Sequence, residues 1–129
     1  MSEWRAETSR DLDDAAKRLG RLAQEVSGDP TKEQLSSIWR AYLYIEKSIA
    51  FIRFDMDEEN PGRTINLRRY LVPDERQALN FSLRSLNRGA DAFNNGDFLL
   101  ALSHLRESRN YLRALLREKR LKRFRTAGG

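Results

Sequence analysis

"LSSIWRAYLYIEKSIAFIRFDM" (35–56) decides how this chain folds. Leu35, Ile38, Tyr42, Ile45, Ile49, Ile52 and Met56 recur at alternating spacings of three and four. That period returns apolar side chains to one face of an α-helix, whereas a half-buried strand needs alternation at every second residue. The stretch predicts a long helix over about 31–57 with its seam in the core. Trp39 is read as a core residue, since aromatics at helical spacing usually are.

The same period continues in both directions. Leu12, Ala15, Leu19, Leu22 and Val26 give a first helix over about 2–27, with Glu3, Glu7, Asp11 and Asp14 on its other face. "SGDP" (27–30) ends it, with Gly28 suited to a left-handed C′ position. Asp29 or Thr31 can cap the next helix, and Thr31 with Gln34 spells a capping box. Downstream, Leu79, Leu83, Leu86, Ala90 and Phe93 give a third helix over about 74–94, with Asp74 at its cap. Phe98, Ala101, Leu102, Leu105, Leu112 and Leu116 give a fourth over about 97–122, capped by Asp97. Between the second and third helices, 58–73 is irregular. Pro61 stops the second helix, and "RTINLRRYLV" (63–72) fits either a short helix or an extended crossover.

Four amphipathic helices without strand-like alternation predict an all-α, single-domain antiparallel four-helix bundle over 1–121, up-and-down by default, with a basic tail at 122–129. A length of 129 residues fits one domain. The composition, 40% hydrophobic and 33% charged, argues against long disorder. With no Cys there is neither a disulfide framework nor a thiolate metal site. The charged N-terminus is not a signal peptide, and no apolar run approaches the ~18 residues needed to span a bilayer. The expectation is a cytoplasmic protein with no membrane partner.

"ADAFNNGDFLLALSHLRES" (90–108) resembles the junction between the two helices of a tetratricopeptide repeat. Ala92, Phe93, Gly96, Asp97, Phe98, Ala101, Leu102 and Leu105 fall where that motif places small and apolar residues. The resemblance implies an antiparallel helix pair and nothing wider. Upstream, "NPGRTINLRR" (60–69) carries no second copy, and a repeat fold needs several.

Catalytic machinery is not recognisable. His104 is the only His, on the outer side of the fourth helix. The residues at 98–100 are Phe-Leu-Leu, so the Arg and His pair of HEPN-type nucleases is absent. The acidic run "DMDEEN" (55–60) lacks the Gly and Glu spacing of an EF-hand loop. The chain is expected to be non-enzymatic, with no cofactor and no metal.

Charge is where the sequence speaks of function. From Arg106 onward there are nine basic and two acidic residues, against fifteen and seventeen before it. The whole excess of the +5 net charge therefore lies in the last fifth of the chain. Arg106, Arg109, Arg113, Arg117 and Arg120 fall within about 80° on a helical wheel and form one stripe. Lys119, Lys122, Arg123 and Arg125 add to it. A row of guanidinium groups suits phosphates. The leading expectation is non-specific binding of DNA or RNA, as a structural or accessory subunit of a nucleoprotein assembly. The competing account is a solvated helix end favoured by the macrodipole, with some Arg paired to Glu3, Glu7 or Asp11. Arg40, Tyr44, Lys47 and Phe51 on the second helix, and Phe81, Arg84 and Arg88 on the third, interleave aromatics with cations. They suit either further nucleic-acid contact or a protein interface. The alternative function is an adaptor or self-associating bundle with the second helix as its interface.

Overall fold

The computed structural model describes residues 3–56 and 66–128, with side chains as far as Arg120. Its elements are α1 (Glu3–Glu25), α2 (Lys32–Asp55), a 3-10 turn (Leu67–Tyr70), α3 (Glu75–Asn94) and α4 (Phe98–Gly128). The protein is an all-helical bundle with four helices, and no strand occurs among the described residues. The acidic run at 57–60 lies outside the described residues.

Local chemistry sets the helix ends. Gly28 takes a φ of 72°, closed to most L side chains, and turns the chain out of α1. Thr31 caps α2: its Oγ1 accepts from the Gln34 N–H at 3.1 Å, and the Gln34 side chain accepts from the Thr31 N–H at 2.9 Å. Asp74 Oδ1 accepts from the Arg76 N–H at 2.9 Å, and Asp97 Oδ1 accepts from the Leu100 N–H at 3.2 Å. The C-terminus of α1 is closed from outside. Arg76 donates from Nε and Nη2 to the Val26 carbonyl at 3.1 and 2.8 Å.

The helices occupy the corners of a square. α1 packs against α2 and α3, and α4 packs against α3 and α2. Ser9 near the start of α1 bonds Asn94 at the end of α3, while Arg76 at the start of α3 reaches the end of α1. Lys119 late in α4 reaches Asp29 just before α2 and Glu75 at the start of α3. So α2 and α3 begin at the same end of the bundle, on diagonal corners. This corrects the up-and-down expectation. Packed neighbours are all antiparallel, but the chain forms two hairpins, α1–α2 and α3–α4, joined by a crossover whose described part, 66–73, lies beside α4. The 63–72 stretch resolves, over its described part, into extended backbone around the 3-10 turn, which packs on α4 through Tyr70 and Tyr111 (ring centroids 5.1 Å apart).

The predicted seams form the core. Leu12, Leu19, Ile38, Ile45, Ile52, Leu79, Leu86, Leu102, Leu105 and Leu112 are buried to within 2%. α3 and α4 approach closely because small residues face each other. Ser82 and Ser108 exchange hydroxyl-to-carbonyl hydrogen bonds at 2.9 and 2.8 Å, which satisfies both buried hydroxyls. At the other end of the square, Trp4, Phe93 and Phe98 pack ring on ring at 5.4–5.9 Å.

Two further expectations change. Trp39 is not core: it is 50% exposed, because it lies off the seam on the outer face of α2. The segment read as a tail from 122 continues α4 as helix to Gly128.

Candidate nucleic-acid interface

α4 carries the Arg stripe on the side that faces α2 and the crossover. Its floor and walls follow from the topology. Because α2 is a neighbour of α4, Trp39 and Tyr42 stand along one side. Because the crossover packs on α4, Leu67 stands along the other. Together with Arg113, Leu116, Arg117 and Arg120 they line a groove of about 560 Å³. A smaller continuation, about 390 Å³, runs beneath Asn66, Arg68 and Leu71 past Ala114, Arg117 and Glu118.

Burial divides the stripe. Arg113, Arg117 and Arg120 are exposed and form no ion pair with a described residue. Arg109 is different: its side chain is 14% exposed and its Nη1 lies 3.2 Å from Glu46 Oε1 on α2. Arg106 is half-buried at the far end of the row. The acids Glu7 and Asp11 are taken by Lys47, at 2.7 and 3.2 Å, and not by the stripe. α1 and α4 sit on diagonal corners, so that exchange is out of reach.

Lys119 leaves the candidate set. Its side chain is 10% exposed and its Nζ lies 2.6 Å from Asp29 and 2.5 Å from Glu75. Burial opposes its charge, yet the two carboxylates together hold the ammonium above its ordinary value. It fastens three helix ends and offers nothing to a ligand. Lys122, Arg123 and Arg125 lie on the helical extension of α4, and their side chains are outside the described residues.

The tyrosine in the groove senses the stripe. Burial pushes the Tyr42 phenol up and Glu46 adds to this, while Arg113 and Arg109 pull it down. Trp39 stacks on Tyr42, with centroids 5.2 Å apart and planes 24° from parallel.

The remaining candidates do not join this site. On α2, Lys47 pairs with α1 and also lies 5.7 Å above the Phe51 ring. Tyr44 is half-buried against the core, and Arg40 is exposed. On α3, Phe81 packs on Tyr111 at 5.6 Å, with Arg84 over the Phe81 ring at 5.8 Å and Arg88 exposed. Tyr111 also carries Tyr70 of the crossover, so the crossover separates Phe81 and Arg84 from the Arg groove. The residues missed by sequence reading are Trp39, Leu43 and Phe54, which form an exposed row along α2 at 50%, 47% and 89%. Their spacing of four and eleven is helical and sits off the seam, which was the available signal.

Among the described residues, no group of three or more His, Asp or Glu is placed to hold a metal ion. No described helix is long and apolar enough to cross a membrane. No protein-family model, curated protein or solved structure matches the chain.

Proposed function

We propose that this protein is a non-enzymatic nucleic-acid-binding bundle, a structural or accessory component of a nucleoprotein assembly. In this reading it holds phosphates without sequence preference. One observation carries it: Arg113, Arg117 and Arg120 are exposed on successive turns of one helix, in a groove, and none of them pairs with a described carboxylate. An unpaired guanidinium retains its full fork for phosphate oxygens. Arg109, already engaged by Glu46, contributes field more than contact.

The test is a salt titration of binding to a mixed-sequence duplex. Three phosphate contacts give a log–log slope near −2.7 on duplex DNA, made steeper by any contact from the C-terminal extension. Arg117→Ala flattens the slope by about 0.9, equally for unrelated sequences. Arg113→Glu/Arg117→Glu abolishes binding while the protein stays folded. A folded double variant that binds as the wild type does removes this reading.

A second reading, an adaptor or self-associating bundle, is favoured by the exposed row Trp39, Leu43 and Phe54 on α2. Apolar and aromatic groups of this kind anchor protein interfaces.

A further inference from the structure

We infer that the groove takes single-stranded nucleic acid, an unpaired base stacking on Trp39 while Arg113, Arg117 and Arg120 hold its phosphates. This rests on the nucleic-acid reading above.

Four features point there. Trp39 is half exposed, which is unusual for so large an apolar ring. Its ring is held in place: Tyr42 stacks on one face, and Tyr42 itself packs against the core. Among the described residues no second ring or cation stacks on the indole, which keeps half of its surface exposed for a flat partner. Lastly, that ring lines the same groove as Arg113, Arg117 and Arg120, which pair with no described residue.

This combination is chemically selective. An indole face recognises a flat, weakly polar ring, and every nucleobase has one. A duplex turns its base faces into its own stack and presents phosphates and base edges only. It can meet the Arg row but has nothing to lay on Trp39. A single strand satisfies both. Leu67 and Leu116 complete an apolar seat beside the cations, and the groove, about 560 Å³, lies within the ~300–1,000 Å³ range of small-ligand sites, so a nucleotide-sized ring is accommodated. Stacking does not distinguish the bases, which agrees with an electrostatic, sequence-tolerant site.

The experiment uses the full chain, a fluorescently end-labelled oligothymidylate and a labelled mixed-sequence duplex of equal length. The expected result is that Trp39→Ala weakens oligothymidylate binding about tenfold, within the range for one stacked base. Duplex affinity and its salt slope stay as in the wild type, and Trp39→Phe restores most of the loss. Trp4 and Trp39 are the only two indoles. In a Trp4→Phe protein, which keeps a ring against Phe93 and Phe98, emission from Trp39 is therefore quenched by oligothymidylate and not by duplex. Unchanged single-strand affinity in Trp39→Ala overturns the inference, as does equal quenching by duplex. If Arg113→Glu/Arg117→Glu still abolishes binding in that case, the Arg groove survives without the stacking seat. If the wild type binds neither nucleic acid, both readings fall together.

Discussion

Gly89 of α3 lies so close to Leu105 of α4 that a Cβ on it would sit 2.7 Å from Leu105 Cδ2 and 2.9 Å from Cγ. The neighbouring backbone N of Leu105 would be 3.3 Å away. No side chain larger than hydrogen fits unless Leu105, itself fully buried, moves. Gly89→Ala is expected to destabilise the protein by about 1–3 kcal/mol, the usual cost of overpacking, despite the better helix propensity of Ala. Gly20 is the control. A Cβ there meets only Leu83 Cδ2 at 3.9 Å, ordinary contact, so Gly20→Ala is expected to stabilise by about 0.5–1 kcal/mol. Urea midpoints of the two variants should therefore move in opposite directions.

The α2 seam gives a second contrast on one helix. Ile49 is 3% exposed and Phe54 is 89% exposed. Ile49→Ala is expected to cost about 2–5 kcal/mol, and Phe54→Ala under about 0.5 kcal/mol. Thermal unfolding of both variants checks this.

Lys119 makes stability depend on pH at both extremes. Its hydrogen bond holds the Glu75 carboxyl below the ordinary 4.5. A depressed carboxyl contributes stability above its unfolded value and loses it as pH falls through the folded one, so this contribution disappears below about pH 4.5. The Lys119 ammonium is raised above the ordinary 10.5 despite burial, the largest influence on it, because Asp29 and Glu75 together outweigh that burial. Its contribution is full below 10.5 and is lost as pH rises further. Asp29 is 58% exposed and well screened, so Glu75 matters more. Lys119→Met is expected to lose about 1–3 kcal/mol at pH 7, with the gap to wild type closing in acid as the wild type declines. Urea unfolding from pH 3 to 7 measures that closure.

Leu43 and Phe54 separate the two functional readings. They lie on the outer row of α2 and do not line the Arg groove. Leu43→Glu/Phe54→Glu is expected to leave nucleic-acid affinity unchanged and to abolish any self-association seen by sedimentation. A loss of nucleic-acid binding in this variant would place that row within the ligand site.

Much of the fold was legible because it is local. The spacing of Ile38, Ile45 and Ile52 gave the core of α2, and Thr31 with Gln34 gave its cap. What escaped depends on which helices become neighbours. The wheel gives Arg109 and Arg113 the same status, yet Glu46 meets Arg109 because α2 lies beside α4. Lys119 reads as one more cation until the crossover brings Glu75 and Asp29 to the same end of the bundle. Trp39 is a different case: its place off the Ile38–Ile45–Ile52 seam was readable, and the general tendency of aromatics to be core outweighed it. The docking of one hairpin on the other fixes the Arg109 and Lys119 outcomes, and no helical period records it.

The groove is built from parts of the chain that are far apart in sequence. Its floor belongs to the α3–α4 hairpin, one wall to the α1–α2 hairpin, and the other to the segment between them. Separated hairpins do not contain it. Occupancy and docking of the hairpins are thus thermodynamically linked. A ligand present at 100 times its Kd adds about 2.7 kcal/mol to the docked state alone. By the same reciprocity, a substitution that loosens α2 from α4 weakens binding without touching anything bound.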